Sequence, residues 1–162
     1  MKESTNAPRK VAIFDIDGTI FRSSLLVEIV EVMIELELFP VSVRMQYEKE
    51  KVRWLDRKGD YEAYIMAVVG VFMENIKGVA YEDFLRAGSL VIERYRHSTY
   101  VFTESLIKDL RGKGYFLLAI SHSPKGILDL FCKEIGFDKV YGKLYETGPT
   151  ERFTGNILDE HL

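Results

Sequence analysis

The stretch VAIFDIDGTI, residues 11–20, decides the fold of this chain. An apolar run predicts a short buried strand, and two aspartates, Asp15 and Asp17, follow it two positions apart. Because residues i and i+2 of a strand face the same side, both carboxylates should project together from its C-terminal end. Ligands of open α/β sheets bind at that end. Two adjacent carboxylates repel each other, so the pair predicts a cation between them.

The same residues also fit a plain turn, since Asp and Gly are common where a strand ends. A plain turn requires neither a second aspartate in phase with the first nor Thr19 after the glycine. We therefore favour a functional role for the pair over a turn.

Composition excludes several classes of protein. The 162 residues fit one domain, or a core with a modest insertion, and 47% hydrophobic with 29% charged residues is ordinary for a globular protein. A net charge of −3 without a basic cluster argues against a nucleic-acid surface, and no apolar run is long enough for a membrane span. The single cysteine, Cys132, fits a reducing cytoplasm, and its amphipathic surroundings indicate a packing role.

The pattern along the chain predicts a helical insertion within an α/β core. Residues 1–9 form a polar stretch that we expect to be a disordered lead-in. Helical periodicity fills residues 23–98, which we assign to a cap. Strands and helices alternate in the remainder, so residues 10–22 and 99–162 are assigned to the core.

Start and stop signals place the individual elements. Helices are expected at about residues 25–36, 41–56, 61–72, 81–95, 103–112 and 124–135. After the first strand, further strands are expected at residues 115–120 and 138–141, followed by a hairpin with arms at 144–146 and 152–154. Three polar residues are predicted to be helix N-caps, namely Asp60, Thr103 and Ser123.

The motif Asp15-Ile16-Asp17-Gly18-Thr19 resembles the DxDGT signature of the haloacid dehalogenase superfamily, whose members are mostly Mg²⁺-dependent phosphatases. The resemblance implies a Rossmann-like core, a parallel sheet flanked by helices, with a helical cap inserted after the first motif as in phosphoserine-phosphatase-like members. By position, Asp15 would form an aspartyl-phosphate and Asp17 would act as general acid and then general base. Both would hold Mg²⁺, and Gly18 and Thr19 would contact the phosphate. The chemistry suits carboxylates, which accept phosphoryl groups covalently.

A second motif is expected where the next core strand ends, at Ser121. The resemblance implies that the Ser121 hydroxyl and the backbone N–H of His122 hold phosphate oxygens. A helix that begins just downstream also favours an anion there. Ser123 competes for this role, but we assign it to capping. A side-chain catalytic role for His122 is disfavoured because Asp17 already supplies both acid and base.

Two later motifs of the family, a lysine and an acidic pair, are not found: Lys143 is too early, and Asp159-Glu160 follows no apolar strand. In the family's sheet the first strand is central, so residues 11–14 would otherwise expose an apolar edge. We therefore expect this core to be incomplete at its C-terminus, as the N-terminal part of a longer enzyme, or another chain to cover the edge. Because Mg²⁺ would have a thin shell, we expect the chain alone to be weakly active or inactive.

The sequence leaves the substrate undefined beyond a small phosphorylated metabolite. Phosphoserine phosphatases read the substrate amine with a glutamate nine residues after the nucleophile, where this chain has Ser24, so phosphoserine is not supported. The next acid is Glu28, for which a solvated helix face is the favoured explanation. Four aromatic residues are expected in the core rather than in a pocket, namely Trp54, Tyr61, Tyr64 and Phe72. Three arginines are candidates for an anionic substrate tail, namely Arg44, Arg53 and Arg57.

The sequence therefore predicts a cytoplasmic, Mg²⁺-dependent phosphomonoester hydrolase with a helical cap. One alternative is a phosphotransferase or mutase, because the same nucleophile can pass its phosphoryl group to an acceptor other than water. The other is a non-catalytic binding protein that has kept this fold.

Overall fold

The computed structural model describes residues 10–158. The strands are β1 (Val11–Asp15), β2 (Phe116–Pro124), β3 (Lys139–Lys143), β4 (Tyr145–Thr147) and β5 (Phe153–Ile157). The helices are α1 (Leu25–Glu35), α2 (Arg44–Leu55), α3 (Tyr61–Asn75), α4 (Tyr81–Tyr95), α5 (Val101–Gly112) and α6 (Lys125–Ile135), with a 3-10 turn at Val41–Val43. The predicted lead-in and the Asp159-Glu160 pair lie outside the described residues.

Three strands form a parallel sheet in the order β1-β2-β3. The register pairs Val11 with Phe116 and continues to Asp15 beside Ile120. Because parallel strands end at the same edge, this register places Asp15 next to the chain segment that begins at Ser121. The α/β core predicted from the sequence, a parallel sheet flanked by helices, is confirmed.

The two faces of the sheet differ in burial. Leu117 and Ala119 are buried on one face, where α5 packs against β2 and α6 packs against β2 and β3. On the other face Val11 is 49% exposed and Ile13 is 62% exposed.

Within residues 10–158, β1 pairs with β2 alone. The apolar edge anticipated from the sequence is thus open in the part of the chain that the structure describes.

The helical insertion leaves and re-enters the core at one place. The backbone N–H of Arg22 donates to the Ser98 carbonyl at 2.9 Å, and that of Tyr100 donates to the Ile20 carbonyl at 3.0 Å. Within the insertion, α1 packs against α3 and α4, while α2 packs against α3. Helix α1 also contacts α6 and β2, so its apolar residues are buried on several sides. The cap boundaries at residues 23 and 98 stay a prediction.

Helix starts were predicted with mixed success. The Asp60 side chain caps α3, accepting a hydrogen bond from the backbone N–H of Ala63 at 2.6 Å, as expected. The caps predicted at Thr103 and Ser123 were wrong, since Tyr100 and Pro124 hold the N-cap positions of α5 and α6. The physical reasons are that α5 begins two residues early and that β2 continues through Pro124.

The predicted hairpin is present as the antiparallel pair β4–β5, displaced by about one residue. It docks on the helical insertion, because the Gly78 N–H donates to the Phe153 carbonyl and the Tyr81 N–H donates to the Glu151 carbonyl, both at 2.8 Å. The Cys132 side chain is fully buried, which confirms its packing role, and burial raises the pKa of its thiol to about 12. Within residues 10–158, no helix is long and apolar enough to cross a membrane.

Candidate active site

A cavity of about 230 Å³ lies at the C-terminal ends of β1 and β2. Four residues singled out from the sequence line it together, namely Asp15, Asp17, Ser121 and His122. The cap side contributes apolar side chains and one ring, namely Leu26, Ile65, Val69 and Tyr61. The two sequence motifs, separated by about a hundred residues of chain, therefore meet in one place beneath the helical insertion.

The Asp17 carboxylate is held by three neutral donors. Its Oδ1 accepts a hydrogen bond from the backbone N–H of Leu25 at 2.7 Å, in the first turn of α1. Its Oδ2 accepts from the hydroxyls of Ser121 at 2.5 Å and Ser123 at 2.9 Å. Asp17 forms no ion pair within residues 10–158. The side chain is consequently fixed in orientation while its charge is left uncompensated, except by the positive end of a helix.

Ser123, which the sequence pattern assigned to helix capping, lies instead at the Asp17 carboxylate. Besides its hydroxyl contact with Asp17, its backbone N–H donates to the Ser121 Oγ at 2.9 Å. Both serines are buried. The signal was present in the sequence, because Ser121 and Ser123 stand two residues apart on a strand and so face one side, as the two aspartates do.

Asp15 is exposed at the cavity, and its Oδ2 accepts a hydrogen bond from the Thr19 hydroxyl at 2.8 Å. Gly18 has a φ of +76°, a conformation that favours glycine, and its N–H donates to the Phe21 carbonyl at 2.8 Å. In this arrangement Thr19 orients Asp15, and the Gly18 N–H closes the loop. Contacts of Gly18 and Thr19 with a substrate phosphate stay predictions, as does the role of the exposed His122.

A second cavity of about 590 Å³ lies between α1 and the other cap helices. Tyr61 lines both cavities and therefore stands where they adjoin. Burial, followed by the charges of Asp17 and Glu28, raises the pKa of the Tyr61 hydroxyl. The second cavity was not anticipated from the sequence.

Several expectations about the cap are corrected by this second cavity. Of the four aromatic residues expected in the core, Phe72 is buried away from both cavities, as predicted. Tyr64 is buried but lines the second cavity, and Trp54 and Tyr61 are 38% and 39% exposed because their rings form its wall. Glu28 was expected on a solvated helix face, yet it is half-buried and lines the same cavity. The face of α1 that carries Glu28 is directed toward other cap helices instead of bulk water. Helical periodicity alone does not show which neighbours such a face meets.

The three arginines considered for substrate binding line neither cavity. The Arg44 Nε donates to Glu31 Oε2 at 2.9 Å, and Arg53 pairs with Glu50 at 3.3 Å. The cations that do line the larger cavity are Arg22 and Lys51. The sequence analysis did not select either of these residues.

Comparison with solved structures identifies similar folds. A phosphoserine phosphatase determined as a phospho-aspartyl intermediate analogue is 19% identical, with a TM-score of 0.57 over 95% of this chain and 65% of that chain. A substrate-bound phosphoserine phosphatase complex is 18% identical, with a TM-score of 0.58 over 96% and 65%. A protein of unknown function from Bordetella pertussis Tohama I is 14% identical, with a TM-score of 0.68 over 94% and 67%. The chain spans about two thirds of the length of these structures.

At such low identity these likenesses show the fold alone. No curated protein sequence matches the chain. The family model described as haloacid dehalogenase-like hydrolase matches residues 12–161, almost the whole chain, which confirms the family predicted from the DxDGT motif. The chain therefore belongs to the haloacid dehalogenase-like hydrolase family.

Proposed function

We propose that this protein is a Mg²⁺-dependent phosphomonoester hydrolase that acts through an aspartyl-phosphate. The observation that carries the proposal is the meeting of Asp15, Asp17 and Ser121 around one cavity at the shared end of two parallel strands. A nucleophile and a separate acid–base group are the two functions that such a double displacement needs. Both are present here as carboxylates in distinct environments.

In the first half-reaction the Asp15 carboxylate attacks phosphorus and the bond to the leaving oxygen breaks, which gives an acyl phosphate on Asp15. Thr19 holds Oδ2, so Oδ1 is the oxygen free to attack. Asp17 gives its proton to the leaving oxygen. In the second half-reaction Asp17 takes a proton from water as that water attacks phosphorus, which releases phosphate and restores Asp15. The three donors on Asp17 preserve one geometry through both steps.

The donor set fits Mg²⁺, which prefers oxygen ligands. The Asp15 carboxylate and the main-chain carbonyl of Asp17 would hold the ion, because the Asp17 side chain is already occupied by three donors. Within residues 10–158, no group of three or more His, Cys, Asp or Glu side chains comes together as a metal site. Substrate phosphate oxygens and water would therefore complete the shell. When bound, the ion would offset the negative charge of the phosphate.

Phosphoryl labelling tests the proposal even if turnover is slow. We expect incubation with an aryl phosphate and Mg²⁺ to give a phosphoryl label that hydroxylamine removes, the behaviour of an acyl phosphate. Asp15→Asn should abolish both the label and turnover, with an unchanged circular dichroism spectrum. Asp109→Asn is the matched control, since the exposed Asp109 of α5 pairs with Lys113 and lies outside the cavity that Asp15 lines. A normal label on the Asp15→Asn variant would exclude the mechanism.

We also propose that the open edge of β1 is covered in the functional protein, by further polypeptide beyond these residues or by another chain. Supporting this are the pairing of β1 with β2 alone within residues 10–158 and the tendency of uncovered edge strands to aggregate. Completion of the site by a later lysine and acidic pair would belong to that segment. We place the protein in the cytoplasm, in keeping with a lone buried cysteine.

A further inference from the structure

Helix α2 of the cap buries little of its own surface. It packs against α3 and the 3-10 turn that precedes it, and Tyr47 is its single buried side chain. One side of the helix lines the larger cavity through Lys51 and Trp54. Within residues 10–158, most of its other side chains are exposed. A large part of α2 is therefore open to contact with another molecule.

Four of the exposed side chains of α2 and its preceding turn are apolar. By helical period they share one side, which we call the outer face of α2, namely Val41, Met45, Val52 and Leu55. They are between 45% and 81% exposed. Their spacing of four, seven and three positions is that of the contact positions of a coiled coil. Single exposed apolar residues are ordinary, but a row at this spacing indicates a surface that packs against a second helix.

Two opposite charges stand at the middle of the outer face. Glu48 and Lys49 are both exposed, and neither forms an ion pair within residues 10–158. Met45 lies three positions before Glu48, and Val52 lies three positions after Lys49. Further out, Val41 and Leu55 stand at nearly equal separations from the two charges. The apolar pattern thus reads almost the same from either end, and the charge changes sign at its centre.

This symmetry selects the occupant of the outer face. A contact about a two-fold axis uses the same patch on both molecules, so that patch has to be complementary to itself. If two α2 helices lie antiparallel with the axis between Glu48 and Lys49, Met45 of one copy meets Val52 of the other. The same arrangement brings Glu48 of each copy to Lys49 of the other. A partner of different sequence would require no such symmetry.

We propose that two copies of this chain pair reversibly through the outer face of α2, as antiparallel helices about a two-fold axis. The proposal does not depend on the phosphatase function. A helix of 12 residues is about 18 Å long, so the contact is smaller than the roughly 800 Å² per partner of a standard stable interface. The dimer is accordingly weak, with a Kd of about 10–100 μM.

Sedimentation of the full chain from about 1 to 500 μM tests the pairing over the range of this weak affinity. We expect the wild type to pass from monomer to dimer. Met45→Lys should raise the Kd at least about tenfold, because a lysine would be desolvated between the helices. Met66→Lys is the matched control, since Met66 is also an exposed methionine but belongs to α3.

Two results of this experiment would overturn the proposal. One is a wild-type chain that stays monomeric up to the highest concentration. The other is a dimer that both methionine variants retain, which would place the association elsewhere on the molecule.

Exchange of the two central charges tests the self-complementarity. Glu48→Lys should raise the dimer Kd about tenfold, because the new lysine of each copy would meet Lys49 of the other, and Lys49→Glu should do the same. The double variant Glu48→Lys/Lys49→Glu only exchanges the two charges, so its Kd should return to within about twofold of the wild type. A double variant as weak as the single variants would contradict the two-fold arrangement.

Disulfide trapping tests the helix direction. Cys132 is the only cysteine of the chain and is fully buried, so an introduced thiol is the accessible one. When Met45→Cys and Val52→Cys chains are mixed and oxidised in air, the mixed disulfide should exceed the share of about half that random pairing gives, because only positions 45 and 52 come within bonding distance. A mixture in which each variant links mainly to itself would exclude the antiparallel pairing.

Discussion

Two partly buried carboxylates, Asp17 at the strand ends and Glu31 in the cap, are stabilised in opposite ways. Asp17 accepts hydrogen bonds from two serine hydroxyls and a backbone N–H, none of which carries a charge. Glu31 accepts from the Arg44 guanidinium at 2.9 Å and from the Tyr47 hydroxyl at 2.8 Å, with Lys51 beside it. The charge of Glu31 is compensated by cationic side chains, whereas no cationic side chain within residues 10–158 pairs with Asp17.

This difference agrees with a structural role for Glu31 and with the acid–base role proposed for Asp17. Burial raises the pKa of Glu31, but the hydrogen bonds from Tyr47 and Arg44, together with the charges of Lys51 and Arg44, outweigh it, so the pKa lies below its ordinary value. The same arrangement, with burial as its largest cause, raises the pKa of Tyr47. Glu31 therefore joins α1 to α2 as an anion at neutral pH. A cationic environment of this kind would hinder a group that has to gain and lose a proton during a reaction.

Neutralising Asp17 is the strongest test of the difference between Asp17 and Glu31. Asp17→Asn should lower kcat for an alkyl phosphate by about 10² to 10⁴-fold, the usual contribution of a general acid–base group. Folding should be retained, because the amide oxygen can accept from Leu25 while the serine hydroxyls turn to accept from the amide nitrogen. Steady-state kinetics and thermal melting measure the two effects.

The control for this change is Glu31→Gln, which should leave kcat within about twofold because Glu31 lies outside the catalytic cavity. Equal losses of activity in the two variants would show that the two carboxylates do not differ in role.

The cavity that Asp15, Asp17 and Ser121 line was largely predictable from the sequence, because residue spacing and strand order determine which side chains meet there. Two-residue spacing put Asp15 and Asp17 on one side of a strand, and parallel order brought Ser121 to the same edge. Ser123 obeyed the same spacing rule and was missed only because a serine before a proline also fits a helix start.

The cap cavity was not predictable, since its walls depend on how four helices cross. The partners of Glu31 lie 13 and 16 positions away on another helix, at no fixed spacing. For the same reason Glu28 was taken for a solvated residue, and Trp54 and Tyr61 for core residues. Helical periodicity identifies which residues share a face but not which neighbouring helix that face meets.

A second test of the difference removes the serine hydroxyls that donate hydrogen bonds to Asp17. Ser123→Ala deletes one hydrogen bond to the carboxylate, and Ser121→Ala deletes another while also leaving the Ser123 N–H without its acceptor. Hydrogen bonds to charged groups contribute about 1.5–3 kcal/mol, so kcat should fall by about 10- to 100-fold, more for Ser121→Ala.

The dependence of the loss in kcat on the substrate would identify the positioning of Asp17 as its cause. The loss should be larger for an alkyl phosphate, whose leaving oxygen needs a proton, than for 4-nitrophenyl phosphate, whose leaving group does not. Ser89→Ala is the matched control, because the exposed Ser89 hydroxyl donates to the Leu85 carbonyl of its own helix, away from Asp17. Equal losses with both esters would instead favour the phosphate-binding role predicted for Ser121.

The smallest expected effect is the pH dependence of stability that Glu31 contributes. Its folded-state pKa lies below the ordinary value of 4.5, so the stabilisation is complete above pH 4.5 and is lost as pH falls through the lower folded value. Glu31→Gln should therefore lower the free energy of unfolding at pH 7 by about 1 kcal/mol or less, allowing for solvent screening. The difference from the wild type should shrink as pH falls from 5 towards about 3.

Urea unfolding at several pH values measures this difference, with Glu48→Gln as the control because Glu48 is an exposed residue of α2. The control should show no comparable change with pH, since Glu48 forms no ion pair within residues 10–158. A gap between wild type and Glu31→Gln that stays constant down to pH 3 would mean that the charge of Glu31 does not stabilise the cap. In that case, the pairing of the Glu31 carboxylate with Arg44 and Lys51 would not distinguish its role from that of Asp17.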